Sequence, residues 1–400
     1  KRNDLNGKFI GPINEQGNST YSYDLVPFHM IANDGNIMMH SMKFDGTLGT
    51  TLGTVPTQAI AERYDLIIDF TNFKEGDKLY FVNILEHLNG KRPHRFINLD
   101  EILNGKYKLE TDKGMGDPCV EKFLEFRVYS YNGIDKSVDP SIYEYGKGRQ
   151  MIPIKIINEE MIKSSIQRRF DFINHQTEDG VVLSDEWAIE TDNNGLSLQM
   201  DPRRISAAPR INSGELWHIV NGGNSWAHNV HIHFTEGIVL LRDNKLPPIW
   251  EQFSRKDVYR VGGADGGDGS SDMWIYLKFE DDTGSYMMHC HNTMHEDHAM
   301  LLRWDIQEDS CIEDGIPTHL PTWDGVLFMT TFGLPTFRSG ISKNNEEYRN
   351  PRSIINTLRK IRRNVPQINS GEVYVNGLGE GLQNMAFKNL EGILSFNSTR

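Results

Sequence analysis

The sequence predicts an all-β protein with two sandwich or barrel domains and an irregular C-terminal extension. Short β-branched and aromatic runs alternate with Gly, Asn and Asp turns over most of the chain. Helical periodicity is rare between them, as is typical of sandwiches and barrels. The 400 residues suffice for two to three domains of roughly 150 residues each.

The first predicted domain covers residues 1–165. Its strands end at turn residues, as the run from Leu25 to Ala32 ends at Asp34-Gly35. Three further strands are predicted at Leu66 to Phe70, Lys78 to Ile84 and Phe123 to Tyr131. We expect a helix over residues 154–168 to connect the two domains.

The second predicted domain covers residues 166–310, and the extension covers residues 311–400. The extension contains several prolines, few strand-like runs and one predicted helix near residues 354–363. Strands of the second domain are predicted at Glu215 to Asn221, Val230 to Leu241, Met273 to Phe279, Ser285 to Cys290 and Met300 to Ile306.

Histidines form two blocks in the second domain, since seven of the 14 lie between His228 and His298. The first block, His228-Asn229-Val230-His231-Ile232-His233, has an apolar, β-branched setting that predicts a strand. Because side chains alternate along a strand, His231 and His233 share one face and His228 takes the other. One strand therefore carries ligand-type side chains for two sites, one on each of its faces.

The second block, His289-Cys290-His291, repeats this alternation. If the two strands are neighbours, one side collects four histidines, namely His231, His233, His289 and His291. The opposite side collects His228, Cys290, His295 and Met300.

The set that contains Cys290 matches a specific ligand chemistry. Two imidazoles and a thiolate, with a weak thioether contact, define a blue-copper electron-transfer site. The all-histidine face suits copper, zinc or iron and is large enough for part of a multinuclear cluster. A lone buried cysteine is usually only a small apolar side chain. Eight ligand-type residues with matching alternation favour metal sites instead.

The two blocks together closely resemble the C-terminal cupredoxin domain of multicopper oxidases. Their pattern is His-x-x-His-x-His followed by His-Cys-His-x-x-x-His-x-x-x-x-Met. The run His295-Glu296-Asp297-His298 is most similar to bilirubin oxidases and bacterial spore-coat laccases. Asn229 stands where the family usually has proline, which alters no ligand.

This resemblance implies a role for each ligand residue. The type 1 copper would be held by His228, Cys290, His295 and Met300. His231 would bind type 2 copper. The type 3 copper pair would be bound by His233, His289 and His291.

The resemblance extends upstream and implies tandem cupredoxin-like Greek-key β-sandwiches. The segments Ile31 to Gly35 and Ala61 to Phe70 are similar to the middle domain of three-domain members. Gly214-Glu215-Leu216-Trp217 resembles the strand that precedes the first ligand block. Residues 1–165 would then be the middle domain with its connection, and residues 166–310 the copper-binding C-terminal domain.

The number of His-x-His pairs in the chain is equally informative. In this family the trinuclear cluster takes eight histidines, four of them from two His-x-His pairs in the first domain. Besides the block at Cys290, this chain has one such pair, His231-Ile232-His233. We therefore expect the first domain on the same precursor or on a separate chain. The alternative left open is a protein without a trinuclear cluster.

The resemblance implies an oxidase that uses O2 as electron acceptor. A phenol, a pigment or a metal ion would give up single electrons at the type 1 copper through the edge of His295. The electrons would pass through Cys290 to His289 and His291, and four of them would reduce O2 to water. Glu296 matches a glutamate thought to relay protons in laccase-like members. The alternative is an electron-transfer or copper-binding protein that uses the type 1 site alone.

Composition argues against several other classes. The 55 acidic and 42 basic residues give a net charge of −13, which disfavours nucleic acid as a partner. No run of 18 apolar residues predicts a membrane span. Three cysteines are too few for a disulfide scaffold, although Cys119 and Cys311 remain available for one disulfide. The expected location is periplasmic or extracellular.

Overall fold

The structure is a computed structural model of the chain. It describes residues 2–3, 9–10, 25–47, 52–103, 106–109, 117–155, 157–176, 181–191, 197–200, 205–222, 226–262, 272–280, 282–308, 312–313 and 316–317. The predicted extension, residues 311–400, falls almost entirely outside this part of the chain, as do Cys311 and the helix predicted near residues 354–363.

The described residues before Ile166 form small antiparallel sheets. Their strands are β1 (Arg2–Asn3), β2 (Phe9–Ile10), β3 (Phe28–Asn33), β4 (Asn36–Phe44), β5 (Tyr64–Ile68), β6 (Lys78–Asn83), β7 (Leu85–His87), β8 (Pro93–Phe96) and β9 (Glu121–Arg127). The sheet orders are β4-β3-β5, β6-β9, β7-β8 and β1-β2. Short helices are α1 (Leu99–Leu103), a 3-10 helix (Pro140–Tyr143) and α2 (Glu159–Ser164).

The later strands form two larger sheets. They are β10 (Ile166–Gln176), β11 (Val182–Thr191), β12 (Ser197–Leu198), β13 (Ile205–Ala207), β14 (Gly214–Asn221), β15 (His228–Ile232), β16 (Gly237–Arg242), β17 (Val258–Val261), β18 (Asp272–Lys278), β19 (Gly284–Cys290) and β20 (Leu301–Ile306). The remaining elements are α3 (Ile249–Gln252), α4 (Thr293–Asp297) and the short pair β21 (Ile312–Glu313) and β22 (Ile316–Pro317).

These two sheets pack face to face as a β-sandwich. One has the order β12-β11-β10-β14-β18-β16 and the other has β13-β20-β19-β15-β17. Apolar side chains from both sheets fill the space between them, including Trp217 and Ile275 from the first and Val230, Met288 and Trp304 from the second. Each buried large apolar side chain contributes about 1.5–3 kcal/mol. The all-β fold with a two-sheet sandwich is thus as predicted.

The outer face of the six-stranded sheet is also buried, because the first part of the chain covers it. Along β14, Leu216 joins the cluster on this outer side while its neighbour Trp217 joins the sandwich core. Met30 and Phe44, from β3 and β4, pack in the same outer cluster. Burial on both faces explains why these strands are apolar runs rather than alternating ones.

Two of the expected elements differ from the structure. The run from Val230 to Leu241 is two strands, because Phe234 has a left-handed backbone (φ 70°) and the chain then crosses to the other sheet. Residues 154–168 contain only the short helix α2, and β10 begins at Ile166. Nothing in the described residues tests the domain boundaries at 165 and 310, which stay predictions.

Candidate metal centre

The two histidine blocks lie on adjacent antiparallel strands. In the pairing of β15 with β19, Val230 lies opposite Cys290 and His231 lies opposite His289. Directly paired residues share a face, so Cys290 and Val230 point into the sandwich core while the two histidines point away from it. The blocks therefore form two groups, back to back across one sheet.

The first group consists of His228, Cys290 and His295, all buried. The Sγ atom of Cys290 lies 3.3 Å from Nδ1 of His295 and 3.6 Å from Nδ1 of His228. The two Nδ1 atoms are 3.1 Å apart. Two nitrogens and one sulfur thus face a common centre.

Helix α4 carries His295 back to the strand that holds Cys290. Its first turn is capped by Asn292, whose side chain accepts a hydrogen bond from the Met294 backbone N–H. The chain then returns, and Met300 N–H donates to the His295 carbonyl while Cys290 N–H donates to the Met300 carbonyl. Met300 is fully buried in the same apolar cluster as Cys290.

These three residues fit a trigonal copper site. A trigonal ion with bonds of about 2.0 Å to nitrogen and about 2.3 Å to sulfur holds such donors about 3.5 to 3.7 Å apart, close to the observed 3.1 to 3.6 Å. The other ring nitrogens, Nε2 of His228 and His295, are buried without a hydrogen-bond partner among the described residues. A soft thiolate with two imidazoles is the donor set that copper prefers.

Burial keeps the first group uncharged. It raises the pKa of the Cys290 thiol to about 12 and lowers the pKa of His295 to about 4. The pKa of His228 is also lowered, by burial and then by His295. At neutral pH the imidazoles are ready to bind a metal, and only the thiol must lose a proton.

Aromatic side chains enclose the first group, so His295 has no exposed edge. Its relative exposure is 0%. The ring of Trp187 lies over it, with ring centroids 4.0 Å apart, and the Trp226 ring lies at 4.9 Å. His295 is therefore shielded from solvent, and the expected electron path through its edge stays a prediction. Trp226 is the half-buried side chain that links His295 to the surface.

The second group consists of His231, His233 and His289. Nε2 of His233 lies 3.1 Å from Nε2 of His289. The ring of His231 lies 4.6 Å from that of His233. His291 is not part of this set of three, but its ring centroid lies 5.1 Å from that of His289.

Two partners fix the orientation of the second group. His231 Nδ1 lies 3.0 Å from the Asp257 backbone carbonyl, and His289 Nδ1 lies 3.3 Å from Oε1 of Glu296. A carbonyl accepts but never donates, so His231 carries its proton on Nδ1 and leaves Nε2 to bind a metal. Burial and the neighbouring imidazoles lower the pKa of His289 to about 4.

Two histidines outside these groups lie beside carboxylates instead. His218 lies 2.5 Å from an oxygen of Asp272, and His29 lies 2.7 Å from one of Glu144. No sequence pattern pointed to Trp187 or Asp257, because neither belongs to a ligand motif. Only the folded chain brings them to the site.

Comparison with known proteins finds relatives for most of the described chain. Residues 173–310 match the family model described as multicopper oxidase. Bilirubin oxidase of Albifimbria verrucaria is 30% identical over 279 residues, which cover 69% of this chain and 39% of that protein. The chain belongs to the multicopper oxidase family. The family implies copper as the cofactor, and the two groups are the candidate sites for it.

Other relatives of this multicopper oxidase chain match shorter segments. A multicopper oxidase of Staphylococcus haemolyticus is 34% identical over 108 residues, covering 26% of this chain and 22% of that protein. The chain thus spans less than half the length of either relative. Among solved structures, the multicopper oxidase of Pediococcus acidilactici is similar with a TM-score of 0.43 and 17% identity, covering 74% of this chain and 46% of that one.

Proposed function

We propose that this chain provides the electron-accepting site and half of the oxygen-reducing site of a laccase-like multicopper oxidase. A reducing substrate, which is a phenol, a pigment or a metal ion, gives up one electron at a time near the first group. Copper, when bound, supplies one-electron redox chemistry at the first group and O2 reduction to water at the second. The proposal includes a periplasmic or extracellular location.

One observation carries this proposal, namely that a single strand joins the two groups. Cys290 belongs to the first group, and the preceding residue, His289, belongs to the second. The covalent path between them crosses one peptide bond, and His291 offers a similar path on the other side. A protein that only bound copper would have no need of this direct connection.

We assign His228, Cys290, His295 and Met300 to the type 1 copper. His231 is assigned to type 2 copper. Residues of an added first domain complete that site. The type 3 assignment is His233, His289 and His291. A first cupredoxin domain, on the same precursor or a separate chain, supplies the remaining histidines.

Glu296 is proposed as the catalytic acid of the second group. O2 reduction consumes protons, so a carboxyl group beside the site is needed. Oε1 of Glu296 lies 3.3 Å from Nδ1 of His289, and the side chain is about one third exposed, at 31%. Glu296 therefore contacts both solvent and His289, which is a proposed ligand in the second group.

Trp226 is proposed as the electron path from the surface to His295. Its ring contacts His295 edge to face and also contacts Trp187. The Lys91 ammonium group, from the turn between β7 and β8, lies 5.3 Å from its ring centroid. The first part of the chain therefore forms one border of the substrate-facing surface.

Copper loading followed by spectroscopy tests the proposal. The purified chain should bind copper with an intense blue absorption from the Cys290 thiolate and a second, non-blue Cu(II) signal. Adding the first domain should give O2 consumption with water as the product. Blue absorption without O2 consumption in that complex would favour the electron-transfer protein instead. Failure to bind copper would contradict both functions.

A further inference from the structure

Two sequence segments outside the metal groups converge on the second group. The turn at Asp34-Gly35 follows β3, and Arg63 precedes β5, so both belong to the first part of the chain. Each contacts Asp257, which lies about 200 residues later in sequence and beside His231.

Asp257 is held at both its side chain and its backbone. Its carboxylate accepts two hydrogen bonds from the Arg63 guanidinium, Nη1 to Oδ1 at 3.0 Å and Nη2 to Oδ2 at 2.9 Å. Its backbone N–H donates to Oδ2 of Asp34 at 3.2 Å, as does that of Val258 at 3.1 Å. Bidentate pairs of this kind fix orientation as well as distance.

Arg63 is itself fixed by the turn it contacts. Its Nη2 donates to the Asp34 carbonyl at 2.8 Å, and its backbone N–H donates to Oδ1 of Asp34 at 3.0 Å. The Asp34 carboxylate is fully buried. On the far side, the buried Lys256 pairs with Glu62. The segment 256–258 is therefore anchored by ionic contacts to the first part of the chain.

The backbone carbonyl of Asp257 transmits this anchoring to the metal group. It accepts hydrogen bonds from His231 Nδ1 and from the Ile232 backbone N–H, both at 3.0 Å. A rotation of this peptide would remove the acceptor that holds the His231 proton on Nδ1. Partners of this type change metal affinity by about 10–100-fold.

We propose that Arg63 is a positioning residue for His231, acting through Asp257. It selects the ring orientation and the tautomer that present Nε2 of His231 to the second group. This inference rests on the proposed copper assignment of His231. It gives the two upstream motifs a role in the chemistry of the site, in addition to joining the two parts of the chain.

The test compares copper binding and the His231 tautomer in the full 400-residue chain. Arg63→Gln should weaken copper binding at the second group about 10–100-fold and leave the blue absorption of the first group unchanged. Asp257→Asn should have a similar effect, and the double variant should be no worse than either single one. Arg127→Gln is the control, since Arg127 pairs with Glu125 at 2.7 Å in β9, far from Asp257 in sequence.

A second measurement does not depend on copper. The ¹⁵N shifts of His231 in the metal-free chain should show the Nδ1–H tautomer in wild type and a mixture of tautomers in Arg63→Gln. Unchanged second-group affinity or an unchanged tautomer in Arg63→Gln would overturn the inference. Parallel loss of both copper sites and of melting temperature would overturn it too, by showing a purely structural role. Failure of the proposed function would give a different result from failure of this inference, because the wild-type chain would then bind no copper at the second group.

Discussion

The Sγ atom of Cys290 lies 3.3 Å from Nδ1 of His295 in the apolar core of the sandwich. They lie five positions apart in sequence, and helix α4 turns the chain back after Cys290. The thiol and the imidazole are both uncharged there, because burial raises one pKa and lowers the other. Such a site favours a metal that accepts a thiolate and tolerates low polarity.

Cys290→Ser should abolish the blue absorption, because serine offers no thiolate to copper. Copper bound at the second group should remain, since His231, His233 and His289 lie on the other face of the sheet. Absorption and EPR spectra of the copper-loaded variant check this. Cys119→Ser is the matched control, as Cys119 is also buried but belongs to a different apolar cluster. A blue Cys290→Ser protein would refute the type 1 assignment.

Copper affinity of the first group should rise about tenfold per pH unit between about pH 5 and pH 8. In this range the Cys290 thiol, with a pKa of about 12, must release one proton on binding. His295, with a pKa of about 4, is already deprotonated. Competition titrations at several pH values measure the slope. A slope near zero would mean that the thiolate is not a ligand.

Glu296→Gln should lower O2 consumption of the complete oxidase about 10²–10⁴-fold without changing copper content. The amide keeps the size of the side chain near His289 but cannot transfer protons at neutral pH. Oxygen-electrode assays and metal analysis provide the two readouts. Asp297→Asn is the control, because the neighbouring Asp297 is exposed. Wild-type turnover in Glu296→Gln would remove its catalytic assignment.

Glu251→Gln should destabilise the chain by about 3–5 kcal/mol at neutral pH, because it removes the buried carboxylate that pairs with the Arg242 guanidinium. Glu251 contacts Arg242 at 2.6 Å and Lys256 at 3.6 Å. Burial alone would raise its pKa, but these cations outweigh burial and hold the pKa at about 2, below the usual 4.5. Urea denaturation of both proteins at pH 7 measures the difference.

The same carboxylate predicts a pH dependence. A lowered pKa in the folded state means that its stabilisation is present above pH 4.5 and is lost as the pH falls towards 2. The gap in unfolding free energy between wild type and Glu251→Gln should therefore narrow in that range. A gap that stays constant down to pH 2 would contradict the assigned pKa.

No helix in the described residues is long and apolar enough to cross a membrane. The disulfide for which Cys119 and Cys311 are available falls outside the described part of the chain, because Cys311 does. Cys119 itself is buried beside Ile97 and Tyr107.

The sequence by itself determined the candidate ligand residues and their division between two faces. Alternation along a strand is a local property, so the parity of His228, His231, His289 and Cys290 was readable before any fold was known. Local pattern also located β14, β18, β19 and β20, but it did not predict β10, β11 or β17. It failed at the run from Val230 to Leu241, because both resulting strands are apolar and a left-handed residue inside the run leaves no clear turn signal.

Only the tertiary structure decided what surrounds those ligands. Trp187, which covers His295, lies in β11. Arg63, which donates hydrogen bonds to the Asp257 carboxylate, belongs to the first part of the chain. These contacts join residues far apart in sequence, and no spacing rule relates them. Ligand identity follows from local strand geometry, whereas ligand orientation, solvent access and pKa follow from the packing of distant segments.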